Sequence, residues 1–284
     1  MAEHAVLGRR RFLAWASASA AVIAADPSFA VGVSPEARAP KEGEVTVPRI
    51  LGLELLSSAP LAKMKRFYQD SLGLRVVADQ PGRLTIAAGG TRLTFVGAGP
   101  DDGQPFYHFA FNIPENKVLD ARMWQRERTP LMPIPERLRD PRFDDLVDFR
   151  HWNAHSVFFF DPGGNVVEYI ARHDLKNAAP GGFGSEDILY ASEIGLIVDD
   201  VPATASKLRE VAGVEQYRGG DDQFMAMGDE RGLLLVMKRG RHLNFDLADE
   251  AKAARVFRTV ARVRGAKRAS YLLPDFPYEL SVEG

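Results

Sequence analysis

One supersecondary pattern, a strand, a helix and then further strands, recurs along this 284-residue chain. Such a unit cannot bury its apolar face alone, so each copy must pack against another. The first copy opens with Arg49-Ile-Leu-Gly-Leu-Glu-Leu-Leu56, an apolar run that reads as a buried strand. Leu61, Met64, Phe67, Tyr68 and Leu72 follow at helical spacing, and Gly73 stops the helix. Strands over 83–88 and 91–98 meet at Gly89-Gly90, a hairpin signal. The second copy has a strand over 106–113, a helix over 115–126 and strands over 156–161 and 165–171, with a proline-rich irregular insertion at 129–142. The third has a strand over 192–198, a helix near 201–211 and strands over 223–228 and 232–238. A weaker fourth copy runs from 248 to the C-terminus, with strands near 259–263 and 278–282. The expected fold is α+β, with paired units forming two domains, 49–174 and 188–284. The stretch 175–187, carrying Ala179-Pro-Gly-Gly-Phe-Gly-Ser185, reads as the linker between them.

The N-terminal segment has a different character. Arg9-Arg10-Arg11-Phe12-Leu13 leads into an apolar run that ends at Ala25, and Ser28-Phe29-Ala30 supplies small residues for cleavage. A basic start, a short apolar middle and a small-residue exit read as an export signal over 1–30. Paired arginines followed by x-Phe-Leu resemble the twin-arginine type, an address read by the twin-arginine translocase. The apolar run is shorter than the roughly 20 residues that span a bilayer. Residues 31–48, rich in Pro, Ala, Glu and Lys, read as a flexible leader. The expectation is a protein exported already folded and residing in the periplasm, with no membrane segment in its mature form. A net charge of −2 with mixed signs lacks the basic footprint of a nucleic-acid binder. The absence of cysteine excludes thiolate catalysis, iron–sulfur clusters and cysteine-bound zinc. No nucleophilic triad, phosphate loop or dinucleotide fingerprint is visible.

Several motifs carry a family resemblance. Phe67-Tyr68-Gln-Asp70-Ser-Leu72-Gly73-Leu74 is similar to the F-Y-x-D-x-L-G-L helix end of the vicinal oxygen chelate superfamily, which includes glyoxalase I, extradiol dioxygenases, fosfomycin-resistance enzymes and bleomycin-binding proteins. Tyr107-His108-Phe-Ala-Phe111 resembles its ligand-bearing strand, and Asp161-Pro-Gly-Gly-Asn165-Val-Val-Glu168 resembles its D-P-x-G-N-x-x-E ending. Ile194-Gly-Leu-Ile-Val-Asp-Asp200 looks like the opening strand of a second such domain. The resemblance implies cup-shaped mixed sheets, each built from two units, with one divalent cation in a cup. His108 and Glu168 match two ligand positions. The matching position in the first unit is Leu53, which cannot bind a metal, and Glu54 beside it should face the other way. Alignment of the third unit places Glu193 at that position instead. If the second and third units pair across the linker, His108, Glu168 and Glu193 converge; if the first and second pair, two protein ligands remain. The first pairing makes chemical sense of both departures, and leaves the first and fourth units as a structural half. In the fourth unit Glu279 has no partners of its kind.

One imidazole with two carboxylates is a hard ligand set that leans toward Mn or Mg, with Fe, Zn or Ni also open. Such a cation could chelate neighbouring oxygens of a small-molecule substrate and stabilise an enediolate as a Lewis acid. That favours glyoxalase-like or lyase-like chemistry, while the two-domain layout looks more like the extradiol dioxygenases. His155, just before a strand beside that of Glu168, is a candidate acid–base catalyst. The alternative function is metal-free binding or sequestration of a small molecule, as in the bleomycin-resistance type.

Overall fold

The computed structural model describes residues 49–246, 249–265, 268–273 and 276–284. The expected export signal and leader, at 1–48, lie outside the described residues. In chain order the strands and helices are β1 (Ile50–Ser57), α1 (Leu61–Lys65, continuing through a π-helical stretch Arg66–Ser71), β2 (Arg75–Gln80), β3 (Arg83–Ala88), β4 (Thr91–Gly97), β5 (His108–Ile113), α2 (Val118–Arg126), β6 (Val147–Phe149), β7 (Ala154–Phe160), β8 (Val166–Arg172), β9 (Tyr190–Val198), α3 (Val201–Ala212), β10 (Gln216–Gly220), β11 (Phe224–Asp229), β12 (Gly232–Lys238), β13 (Thr259–Arg264), β14 (Ala269–Leu272) and β15 (Tyr278–Glu283). No helix among the described residues is long and apolar enough to cross a membrane.

The strands form two mixed sheets, giving an α+β fold with cup-shaped sheets. One has the order β14-β15-β13-β1-β4-β3-β2, the other β10-β11-β12-β9-β5-β8-β7-β6. Within each unit the first strand runs parallel to the last, as in β5 with β8, β9 with β12, and β1 with β4. Between units the first strands pair antiparallel, β5 with β9 and β1 with β13. The second unit therefore shares a sheet with the third, and the first with the fourth. Each sheet draws strands from both sides of the linker. In the fourth unit only four residues separate β13 from β14, too few for the helix of the other copies.

Four strands escape the sequence pattern: β2, β6, β10 and β14. All four are sheet edges. An edge strand has one hydrogen-bonding side open to solvent and need not carry the apolar alternation by which a strand is recognised. β2 is half-exposed along its length, and β10 ends in Gly219-Gly220.

The family motifs join the two sheets. Asp161 Oδ1 accepts from the amides of Gly163 (2.9 Å) and Asn165 (3.0 Å), closing the β7–β8 turn. Asn165 Oδ1 accepts from the Tyr107 amide at 2.8 Å, fixing the turn against the start of β5. The remaining oxygen, Asp161 Oδ2, accepts from the Tyr68 hydroxyl at 2.8 Å, so the first-unit helix grips the second-unit turn. Both partners are buried, and burial pushes the Asp161 carboxyl above its ordinary range and the Tyr68 phenol well above its own. Two further tyrosines bridge the sheets. Tyr107 donates to the Arg258 carbonyl and accepts from the Leu56 amide, while Tyr278 donates to the Ile197 carbonyl and accepts from the Ile197 amide. Tyr68→Phe removes one buried hydrogen bond without opening a cavity. It should lower unfolding stability by about 1–3 kcal/mol, read as a lower urea midpoint at unchanged slope.

Candidate metal centre

Strand parity builds the site. In β5 the aromatic residues Phe109 and Phe111 face the core between sheet and helices, while His108 and Ala110 face the other way. The ladders then set a row across three neighbouring strands, because Ala110 is level with Glu168 of β8 on one side and with Glu193 of β9 on the other. Neighbouring strands lie about 4.8 Å apart, so the two glutamates start nearly twice that distance from each other. Ala110 between them carries only a methyl group. Both side chains can therefore lean over it toward His108, one pleat further along the middle strand.

Glu168 Oε2 lies 3.5 Å from His108 Nε2, and Glu193 Oε2 lies 3.7 Å from it. The three donor atoms fall within 4.8 Å of one another, and each residue is 1% exposed. These separations are too long for hydrogen bonds, which end near 3.2 Å, and suit atoms that share a cation at about 2.1 Å from each. His108 Nδ1 lies 3.0 Å from the Val166 carbonyl, which can only accept, so Nδ1 carries a proton and Nε2 is the nitrogen turned to the carboxylates. Nε2 and Glu168 Oε1 have no hydrogen-bond partner among the described residues. A buried imidazole nitrogen and two buried carboxylates converging without a donor between them are costly unless a cation or proton enters. The set fits a divalent metal ion.

The electrostatics agree. Burial, reinforced by the like charge of Glu193, pushes the Glu168 carboxyl up to about 8. For His108 burial acts downward, but the carboxylates of Glu193 and Glu168 and the Val166 carbonyl outweigh it, and the net shift is upward. Protons and a cation thus compete for the same place.

Sequence reading missed one member of the site. Arg172 lies four residues beyond Glu168 on β8, hence on the same face, and is completely buried. Its Nη2 bonds Glu193 Oε1, its Nε donates to Asn112 Oδ1 at 3.2 Å, and its guanidinium lies 5.4 Å from the Trp152 ring. The signal was an arginine in phase with a buried glutamate in Val166-Val-Glu-Tyr-Ile-Ala-Arg172.

His155 requires a correction. On β7 it is level with Ala171, whereas Phe158 is level with Glu168, so His155 projects from the opposite face of the sheet. There its Nδ1 lies 2.8 Å from His173 Nε2, and Asp140 and Asp148 lie 3.7 and 3.9 Å from its Nε2. Which face of β7 His155 takes depends on the β7–β8 register, and the structure does not bring it to this centre. Leu53 is core, Glu54 pairs at the surface with Arg83 and Arg258, and Glu279 is exposed.

The mouth of the cup is covered by the chain following β12. Leu243 and Ala254 are buried against the cup residues, and Phe245 meets Phe158 edge-on at 5.0 Å. Phe158 in turn stacks on His108 at 6.0 Å. A cavity of about 10 Å³ beside His108 is lined also by Tyr107, Gly195, Leu243, Thr259 and Tyr278, and touches neither glutamate. That is room for a single water.

Residues 55–169 match the family model of the Glyoxalase/Bleomycin resistance protein/Dioxygenase superfamily. Among solved structures, a candidate dioxygenase from Bacillus subtilis subsp. subtilis str. 168 superposes with a TM-score of 0.52 at 17% identity, over 83% of this chain and 85% of that one. Glyoxalase I from Zea mays gives 0.46 at 12% identity, over 82% of this chain and 91% of that one. The fosfomycin resistance protein FosX from Listeria monocytogenes, complexed with Mn(II) and sulfate, gives 0.31 at 15% identity, over 42% of this chain and 85% of that one. No curated protein matches the chain.

Cation binding should strengthen with pH. A Glu168 carboxyl raised from 4.5 to about 8 holds its proton over most of the neutral range, and a cation must displace it. The raised carboxyl favours the folded chain fully below about 4.5, and that contribution is lost as pH rises through about 8. Apparent affinity for Mn²⁺ should therefore rise about ten- to a hundredfold between roughly pH 6 and 8, with proton release seen as a buffer-dependent heat in titration calorimetry. A flat profile would show that Glu168 ionises freely.

Proposed function

We propose that this chain is a metal-dependent enzyme acting on a small molecule with vicinal oxygens, with His108, Glu168 and Glu193 as the ligands of one divalent cation. The observation that carries the proposal is the convergence of a buried imidazole nitrogen with two buried carboxylates, of which Glu193 alone has a cationic partner, while His108 Nε2 and Glu168 Oε1 have none among the described residues. A cation held there would polarise a bound carbonyl or hydroxyl and stabilise a developing oxyanion. The protein's part is to hold the imidazole by its Val166 bond and to keep the carboxylates dry behind Leu243, Phe245 and Ala254.

One imidazole with two carboxylates favours lyase- or isomerase-type handling of an enediolate over oxygen activation, which suits a two-histidine set. Mn, Fe, Zn, Ni and Mg are all compatible with the donors. The protein purified from the cytoplasm should carry about one equivalent of metal by elemental analysis. His108→Ala should lose that metal and all turnover of methylglyoxal–thiol adducts or catechols while remaining folded by circular dichroism. Undiminished metal in His108→Ala would refute the ligand assignment. Absence of metal from the unaltered protein, with tight ligand binding instead, would favour a sequestering role.

We also propose that residues 1–30 direct export of the folded protein to the periplasm through the twin-arginine route. The support is the Arg9-Arg10-Arg11-Phe12-Leu13 pattern ahead of a short apolar run. Exchange of Arg9 and Arg10 for lysine should leave the protein in the cytoplasmic fraction, whereas unchanged fractionation would overturn this.

A further inference from the structure

We infer that Arg172 is a positioning residue that restricts Glu193 to one ligating oxygen and leaves the loaded centre positively charged, so that the site selects substrates binding as anions. The inference rests on the metal-centre reading above and adds to it the charge class of the substrate.

The observations concern the two oxygens of one carboxylate. Glu193 Oε1 is taken by Arg172 Nη2, and Oε2 is the oxygen turned to His108 Nε2 at 3.7 Å. A carboxylate free of such a partner can present both oxygens to a cation, whereas this one offers a single oxygen. The arginine is itself immobilised. Its Nε is held by Asn112, whose amide donates to the Tyr190 hydroxyl (3.0 Å) and the Glu230 carbonyl (2.9 Å). The Trp152 and Tyr217 rings flank the guanidinium at 5.4 and 6.0 Å. Its remaining nitrogen, Nη1, has no partner among the described residues.

The charge count then decides. Two glutamates alone would cancel a divalent cation. With Arg172 locked to one of them, cation, two carboxylates and guanidinium sum to +1. A guanidinium does not deprotonate in a protein, so this charge is fixed. The surroundings are dry and lined by Ala110, Phe158 and Ile197, where an unbalanced charge is felt strongly. A monoanion such as an α-hydroxycarboxylate or a singly deprotonated catechol restores neutrality there, a dianion is still attracted by the net positive charge, and a neutral ether or diol gains nothing from it. Arg172 therefore offsets the two-carboxylate character of the ligand set and keeps open positions attractive to anionic oxygen.

The test uses Mn²⁺ and oxalate, a small dianion with vicinal oxygens, on the full-length protein. In Arg172→Met the neighbouring cation is gone and both Glu193 oxygens are free. Mn²⁺ should bind more tightly, by about threefold or more, while oxalate affinity of the Mn²⁺-loaded protein should fall at least about tenfold. Arg172→Lys keeps the charge and should retain oxalate affinity within about threefold. The double variant Arg172→Gln with Glu193→Gln removes a compensating pair, leaves the net charge at +1 and provides a folded comparison should Arg172→Met unfold. It should bind Mn²⁺ more weakly yet, once loaded, bind oxalate within about threefold of the unaltered protein. A merely structural arginine would lower Mn²⁺ affinity in Arg172→Met and leave oxalate binding to the loaded fraction unchanged, which would overturn the inference. Loss of oxalate affinity in the loaded double variant would overturn it as well. Failure of the unaltered protein to bind Mn²⁺ would instead defeat the metal-centre reading on which it rests.

Discussion

The antiparallel ladder between β5 and β9 is the contact on which the candidate centre depends. It joins the second and third units across the linker and sets Ala110 level with Glu193, just as the parallel ladder to β8 sets Ala110 level with Glu168. A slip of one residue in either ladder would turn a glutamate into the opposite face and dismantle the site. The register is held by bonds remote from the centre. The Asp161–Asn165 turn fixes β8 against β5 through the Tyr107 amide, and Tyr68 clamps that turn from the other sheet.

The same pairing explains why the chain tolerates a degenerate half. The first and fourth units form a sheet in which Leu53 packs into the core, and whose last copy leaves only four residues between β13 and β14. That sheet acts as scaffold. Its tyrosine partner Tyr278 grips Ile197 of β9, and its Arg258 carbonyl receives the Tyr107 hydroxyl at the head of β5. The two strands that carry His108 and Glu193 are thus both anchored to the half that carries none of the three converging side chains.

Burial gives the centre its chemistry and its constraint. Three ionisable side chains at 1% exposure cannot rely on water, so their charges must be balanced by protons, by Arg172 or by a cation. The segment over the cup completes the exclusion of solvent, with Phe245 on Phe158 and Phe158 on His108 forming an aromatic column above the imidazole. A dry site strengthens every electrostatic interaction within it.

The amino-acid sequence by itself determined the repeating units, their central strands, the parity that turns His108 away from the aromatic face, and the motifs that carry the family resemblance. These are local properties, since apolar periodicity and turn chemistry act over a few residues. Edge strands were hidden because exposure on one side frees them from that periodicity, and β2, β6, β10 and β14 are all edges. Pairing of the second unit with the third was favoured by the candidate ligand set but not by periodicity, because antiparallel contact of β5 with β9 is a choice between equally apolar partners, and the tertiary structure decided it. It alone moved His155 to the far face and brought Arg172 to Glu193, residues whose roles depend on ladder register between strands distant in the chain.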